Sequence, residues 1–351
     1  MNIKTTGKTA IILTYPGIGD IVWHIPFIYG LSNKAKNKKI SLFTRKTTHA
    51  KEILKYNKSI GKVSYLNETR QFINTIYNFP SLIKSLRKEK FSTLWIFHRS
   101  PRYAIAARFA NIKNIYGFGF GAQKFWLTTQ KSINNNYKKK DNISKAKELL
   151  NIHKIKYDSK FKLEIPERIT KKNLKNYKKF PKPWISIGFS CNKTAFLKKD
   201  LPYSFYRTWR PKYFSNLLDL ISLNKKKLTI FLVGAPNELE IAKSIIRNCK
   251  NKKNIIISCK PLLLNLSILS QSKFFVGNDS GPLNLSGALG IRSFGLFGAS
   301  PPIKNNKNIF SIVPPGGPVD PHKFGFNPIS LEEGMDLIKP ISVYKKIKKY
   351  I

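Results

Sequence analysis

The chain has 351 residues, 42% of them hydrophobic, enough apolar material for two cores of roughly 150 to 200 residues each. Three cysteines, Cys191, Cys249 and Cys259, fit no metal-ligand spacing and cannot form an all-paired disulfide framework, which points to a reducing compartment. The formal net charge of +46 leaves three readings open: dispersed solubilising charge, attraction to an anionic membrane surface, or nucleic-acid binding; the lysines are dispersed and no nucleic-acid motif accompanies them.

The opening "MNIKTTGKTAIILTYPGIGD" has too short an apolar run for a signal peptide, and no later run approaches the roughly 18 residues of a membrane span, so the expected location is cytoplasmic. Short β-rich runs then alternate with helical patterns. "TAIILTY" (9–15), "KISLFTR" (39–45), "KVSYLN" (62–67), "STLWIFH" (92–98) and "NIYGFGF" (114–120) read as strands, with helices near 20–33, 47–57, 71–89 and 101–110. From 131 to 183 the pattern dissolves into a polar, lysine-rich stretch with a helix near 143–152, and Pro166, Pro181 and Pro183 mark a linker. Alternation resumes with strands at 184–190, 228–234, 254–259, 273–279 and 293–298, separated by helices near 211–223, 236–249 and 261–270 and one opening near 281. This predicts an α/β chain of two Rossmann-like halves, each with a parallel sheet covered on both faces. Ligands of such sheets bind beyond the carboxyl ends of the strands.

Four of those strand ends carry candidate chemistry. "YPGIGDIVWHIP" lacks the third glycine of a dinucleotide fingerprint, having Val22 there, and lacks the lysine of a P-loop. It presents Asp20 as either a helix cap or a catalytic carboxylate. "LVGAPNELEIAK" puts Glu238 and Glu240 past a strand end, either to stabilise the first helical turn or to contact a ribose or base. "FFVGNDSGPLNLSGALG" ends a strand at a helix N-terminus, where the N–H groups of Ser280, Gly281 and Leu283 can receive phosphate. Pro282 is tolerated in that first turn, Gly281 lets a ligand approach the backbone, and Asp279 reads as a brace that fixes the loop. His24 lies on the first helix near Asp20 and reads equally as packing or function. His98, Arg99 and Arg102 follow another strand end and read as contacts to an anion.

Taken together, these loops resemble those of the heptosyltransferase family, inverting glycosyltransferases with the GT-B fold. "GIGDIVWHIP" is similar to that family's opening loop, and "GNDSGPLNLSGALGIRSFGLFGASPP" to its most distinctive block. "ISIGFS", "TWRPKYFSNLLDLI" and "LVGAPNELEIAK" follow the family's order, and "LWIFHRSPRYAIAARFANIKNIYGFG" resembles the end of its first domain. The resemblance implies two Rossmann-like domains facing across a cleft: 1–165 for acceptor, a linker at 166–183, 184–335 for nucleotide sugar, and a tail, 336–351, returning to the first domain. It places Asp20 as general base. On the donor side it implies Arg207, Glu238, Asp279, Ser280, Gly281 and Asn284, and on the acceptor side Gly19, His98, Arg99 and Arg102.

The implied partners are a nucleotide-diphosphate heptose, typically ADP-heptose, as co-substrate without further cofactor or metal, and a lipid-linked lipopolysaccharide-core acceptor. Peripheral contact with the cytoplasmic face of an anionic inner membrane follows, and no nucleic acid. The chain departs from the family's pattern at Asn284, where a histidine is usual, and at Arg207, where a lysine is usual; the loop before Arg207 is also longer. Rival readings are a GT-B enzyme with another donor, such as a different transferase or an epimerase, and a catalytically silent member that binds nucleotide sugar or glycolipid.

Overall fold

The computed structural model describes residues 7–66, 72–129, 131–133, 140–158, 162–191, 207–223, 227–298, 300–318 and 334–351. Most of the long loop before Arg207 therefore lies outside the described residues. The chain divides into two compact units, residues 1–161 and 162–351.

The first unit holds five strands: β1 (Thr9–Leu13), β2 (Ile40–Arg45), β3 (Ile60–Leu66), β4 (Thr93–Ile96) and β5 (Asn114–Gly117). They form one sheet in the order β3-β2-β1-β4-β5, and every pairing is parallel. Helices α1 (Ile18–Ser32), α2 (Ala50–Ile53), α3 (Phe72–Lys88), α4 (Arg102–Phe109) and α5 (Asn142–Ile152) connect or cover them. All five residues of β1 are buried, as the central strand of a parallel sheet covered on both faces requires.

The second unit begins with α6 (Glu167–Asn173) and carries β6 (Trp184–Gly188), α7 (Pro211–Ser222), β7 (Thr229–Gly234), α8 (Leu239–Arg247), β8 (Ile255–Cys259) and α9 (Leu262–Ser270). Then come β9 (Ser272–Asn278), α10 (Gly281–Ala288), β10 (Arg292–Leu296), β11 (Ile309–Ile312) and α11 (Pro340–Ile347). Its six-stranded parallel sheet runs β11-β10-β9-β6-β7-β8. Helix α7 shows how its sequence selects its place: Pro211 starts it without losing a bond, and Phe214, Leu217, Leu218 and Ile221 recur at the spacing of one buried face.

Three expectations need correction. The stretch 166–183 is not an open linker: α6 belongs to the second unit, where Asn173 Nδ2 donates to Ser267 Oγ of α9 at 2.9 Å. Strand β11 was not foreseen, because four apolar-leaning residues within a Lys- and Asn-rich stretch carry little signal.

The tail does not leave for the first unit. Trp209 Nε1 donates to the Ile338 carbonyl at 2.8 Å, Arg210 Nε to Asp336 Oδ1 at 2.7 Å, and Val343, Ile347 and Ile351 join the second unit's core. The physical reason is the apolar stripe Val343–Ile347–Ile351, spaced by four, which finds α7 and the sheet within its own unit. Ile347→Ala should therefore cost about 2–5 kcal/mol of stability by denaturant titration; a cost below about 0.5 kcal/mol would remove the tail from the core.

Candidate functional site

Each sheet reverses its strand order once, between β1 and β4 in the first unit and between β6 and β9 in the second. Loops leaving neighbouring strands diverge there, which opens room for a ligand at the carboxyl edge. The sequence-predicted residues cluster at these two points.

In the first unit, β1 leads through Gly17 and Gly19 into α1. The Gly17 N–H donates to Asp20 Oδ2 at 2.9 Å, so Asp20 does cap its helix. Burial raises its pKa above the usual carboxylate range, opposed by the Gly17 N–H and by a hydrogen bond from the Asn142 side chain at the start of α5. Burial outweighs these hydrogen bonds, leaving a more basic carboxylate. The Tyr15 hydroxyl is pushed up by burial and by the Asp20 charge beside it.

His24 is 1% exposed, and its ring meets those of Tyr15, Phe27 and Phe97 at 5.7 to 5.8 Å. Its Nδ1 lies 2.6 Å from the Asp20 carbonyl, which can only accept, so Nδ1 carries the proton and Nε2 does not. Burial lowers its pKa to about 4, so the ring is neutral at pH 7.

Across the reversal, His98 lies two residues beyond the end of β4. Its pKa falls to about 4, first through burial and then through the charges of Arg102, Arg45 and Arg99. Three arginines thus surround one uncharged imidazole; Arg45, the last residue of β2, had no sequence signal beyond its place at a strand end. His98 Nδ1 accepts the Ser100 N–H at 3.0 Å, which fixes the ring. Gln123, also unforeseen, is fully buried: its amide donates to the carbonyls of His98 (2.8 Å) and Ser100 (3.1 Å), while its Oε1 accepts the Gly119 N–H at 2.8 Å.

In the second unit, β9 delivers Asn278, Asp279 and Ser280 to the start of α10. Asn278 ties three segments together, accepting the Trp209 N–H at 3.1 Å and donating to the Phe189 carbonyl at 3.0 Å. Asp279 ties its loop through side chains: Arg207 donates to its carboxylate at 2.7 Å and its carbonyl at 2.8 Å, and Ser300 Oγ donates to the same carboxylate at 2.6 Å. The Arg207 charge is thus engaged by a carboxylate rather than held open for a diphosphate.

Glu238 is buried, and its Oε2 accepts the Ala235 N–H at 2.7 Å, capping the turn after β7. Glu240 is exposed and pairs with Lys243 at 2.8 Å. Burial raises the Cys191 thiol pKa, and the charges of Arg207, Asp279 and Glu238 all act on it, which puts these three in one electrostatic neighbourhood.

At the mouth of α10, Asn284 Nδ2 donates to the Ser280 carbonyl at 2.9 Å, which turns Oδ1 away from it. Asn284 Oδ1 and Ser280 Oγ are buried without a hydrogen-bond partner. Both sit beside Gly281, whose N–H and that of Leu283 have no carbonyl inside the helix to bond. Orphaned polar groups at a helix N-terminus suit an anion with hydroxyl or phosphoryl oxygens. No group of three or more His, Cys, Asp or Glu among the described residues could hold a metal ion. A cavity of about 610 Å³, walled by Lys178, Lys179, Phe180, Lys182 and Trp184, opens at the other edge of the second sheet and is not part of this site.

Comparison with known proteins adds to this geometry. The model of glycosyltransferase family 9 (heptosyltransferase) matches residues 79–311, a stretch that begins after Asp20. A lipopolysaccharide heptosyltransferase 1 of Campylobacter coli is 32% identical over 136 residues, 36% of this chain and 40% of that relative, so the match spans about two fifths of the relative's length. Among solved structures, a family 9 glycosyltransferase from Veillonella parvula superposes with a TM-score of 0.74 at 15% identity, covering 99% of this chain and 98% of that one. The ADP-heptose lps heptosyltransferase II of E. coli gives 0.71 at 14% identity, with 98% of both chains covered. The fold is therefore GT-B-like, two parallel α/β sheets as in the heptosyltransferase structures. With the family model matching well over half of its length, this chain belongs to glycosyltransferase family 9, the heptosyltransferases.

Proposed function

We propose that the chain is an inverting transferase that moves a heptose from ADP-heptose to a hydroxyl of a lipid-linked lipopolysaccharide-core acceptor, at the cytoplasmic face of the inner membrane. The observation that carries the reading is the pair of buried, unpartnered groups at the start of α10, Ser280 Oγ and Asn284 Oδ1. One can donate to a phosphoryl oxygen, the other accepts from a sugar hydroxyl, and the N–H of Gly281 lies between them in sequence. Asp279 and Arg207 hold this loop in shape. Glu238 keeps one carboxylate oxygen for the Ala235 N–H and offers the other to the nucleoside.

In the first unit Asp20 is the general base. As the acceptor oxygen forms its bond to the anomeric carbon, its proton passes to the Asp20 carboxylate. The anomeric carbon's bond to the diphosphate breaks on the opposite side, and the nucleoside diphosphate leaves with that electron pair, its new charge met by the helix N-terminus. A raised pKa makes Asp20 a better acceptor of that proton. Gly19 leaves the approach to the carboxylate open; Arg99 and Arg102, with Arg45, supply positive charge for anionic groups of the acceptor, and the neutral His98 ring supplies an Nε2–H donor.

Asp20→Asn keeps an oxygen for the Gly17 N–H but cannot take a proton, so turnover should fall about 10²- to 10⁴-fold while the fold and donor affinity persist. Turnover within a few-fold of the unaltered protein would leave Asp20 a helix cap and nothing more. The pH profile is a separate check. Because the folded pKa of Asp20 is raised, ionisation of this group costs stability as pH rises through that value, and kcat/KM should fall as pH drops through it. The acid limb should therefore sit above the ordinary Asp value of about 3.9; a limb at or below it speaks against Asp20 as the base.

Gly281→Val places a side chain where phosphate must approach and should weaken donor binding at least about tenfold. Thermal shifts with ADP-, UDP- and GDP-sugars measure both this loss and the donor base, since a bound ligand stabilises by mass action. Equal stabilisation of the valine variant removes the phosphate assignment, and preference for a UDP- or GDP-sugar removes ADP-heptose.

A further inference from the structure

The short 3₁₀ helix Gly121–Trp126 that follows edge strand β5 carries a group of exposed aromatics with no role in the site above. Phe125 is 67% exposed and Trp126 37%, and Phe109, at the end of α4, is 56% exposed. Burying such rings inside the unit would be the ordinary outcome, and leaving several together in water points to a partner.

The segment is held from two sides. Gln123 points inward to the carbonyls of His98 and Ser100, and Arg108 of α4 donates to the carbonyls of Trp126 (3.0 Å) and Leu127 (3.1 Å). The clamp fixes the backbone and joins this helix to α4, whose own end is tied back by the Arg87 guanidinium on the Phe109 carbonyl at 2.6 Å. What it presents outward is Lys124, with its ammonium 5.0 Å from the centre of the Phe125 ring, and the two aromatics.

Charge decides what kind of partner fits. From Lys90 to Lys131 the chain has seven Lys or Arg and no Asp or Glu. The nearest carboxylate in sequence, Glu89, is held by Lys62 at 2.6 Å. Exposed Phe and Trp within a stretch rich in Lys and Arg and lacking Asp and Glu suit the boundary of an anionic bilayer, where rings enter the headgroup layer and cations remain at its charged surface. A protein partner of ordinary composition would call for acceptors and carboxylates to complement it; nucleic acid also stacks on aromatic rings, but no nucleic-acid motif accompanies these.

We infer that the surface formed by Lys124, Phe125, Trp126, Arg108 and Phe109 docks the first unit onto an anionic lipid bilayer. It deepens the reading of a lipid-linked acceptor by naming the surface that meets the bilayer. Gln123 makes the connection physical, because the helix that carries the rings and the loop that carries His98 share its hydrogen bonds.

The test uses the full chain and no sugar substrates, so its failure would leave the catalytic assignment standing. Sedimentation with vesicles of phosphatidylcholine alone, and of phosphatidylcholine mixed with phosphatidylglycerol, should show binding only to the second. Phe125→Ser/Trp126→Ser should weaken that binding at least about tenfold, whereas Leu223→Ser, at a residue 76% exposed on the second unit, should not. Trp126→Phe provides a check independent of the folding of the double variant: brominated lipid should quench tryptophan emission in the unaltered protein and much less in this one, while binding stays. The inference is overturned if the unaltered protein ignores anionic vesicles or the double variant binds them equally. It is also overturned if quenching survives in Trp126→Phe, or if size measurement shows a dimer that the double variant converts to monomer.

Discussion

The loop that opens α10 in the second unit hangs from the pairing of Gly188 with Gly277. These two residues face each other where β6 meets β9, and a side-chain carbon added to Gly277 would lie 2.4 Å from the Gly188 carbonyl oxygen. The space that their missing side chains leave is taken by the Phe275 ring, 2.5 Å from where the Gly188 Cβ would stand. Only with both glycines can the strands pair to their last residue and release Asn278 at the height of Phe189 and Trp209. The side chain of Asn278 then bonds to the backbone of both, and the loop of Asp279 and Ser280 leaves from a fixed point. A methyl group at either glycine would move the start of α10 without touching it.

The legible part of the fold was the part written in period and punctuation. Five-residue runs such as TAIIL and WISIG are buried on both faces and announce themselves as central strands; glycine turns mark where helices begin. Asp279 and Ser280 stand out as polar residues close behind an apolar run, and Asp20 as the carboxylate that follows a glycine turn. What could not be read were relations across distance. Nothing local distinguishes Gln123 from any loop glutamine, yet it is fully buried on a carbonyl 25 residues away. Nothing local to Arg207, which the resemblance puts on the donor side, points to the carboxylate 72 residues further on that it pairs with. The stretch 166–183 looked like a linker because lysines and prolines dominate it, although α6 packs through few residues, Thr170 and Asn173 among them. The tail was misplaced by analogy with GT-B folds; its own stripe of Val343, Ile347 and Ile351 was the better guide.

The charge of +46 is not spread evenly among functions. Some of it is neutralised locally, as in the pairs of Lys62 with Glu89 and Lys140 with Glu148. Some lies near His98 and, after burial, helps keep that ring uncharged. Surface lysines with no such partner act mainly through the long-range field, which draws the chain toward anionic surfaces in general.

The ion pair of Arg207 with Asp279 bears on how a donor would be held. With its cation already matched to a carboxylate, the loop presents almost no net charge of its own, and a diphosphate there would be gripped by main-chain N–H dipoles. Such a grip is short in range and little affected by dissolved ions, whereas attraction between the exposed cations and an anionic surface weakens over a Debye length of about 8 Å at physiological ionic strength. Raising the salt would therefore separate the two: affinity for the nucleotide sugar would change little, and any hold on a charged surface would be lost first.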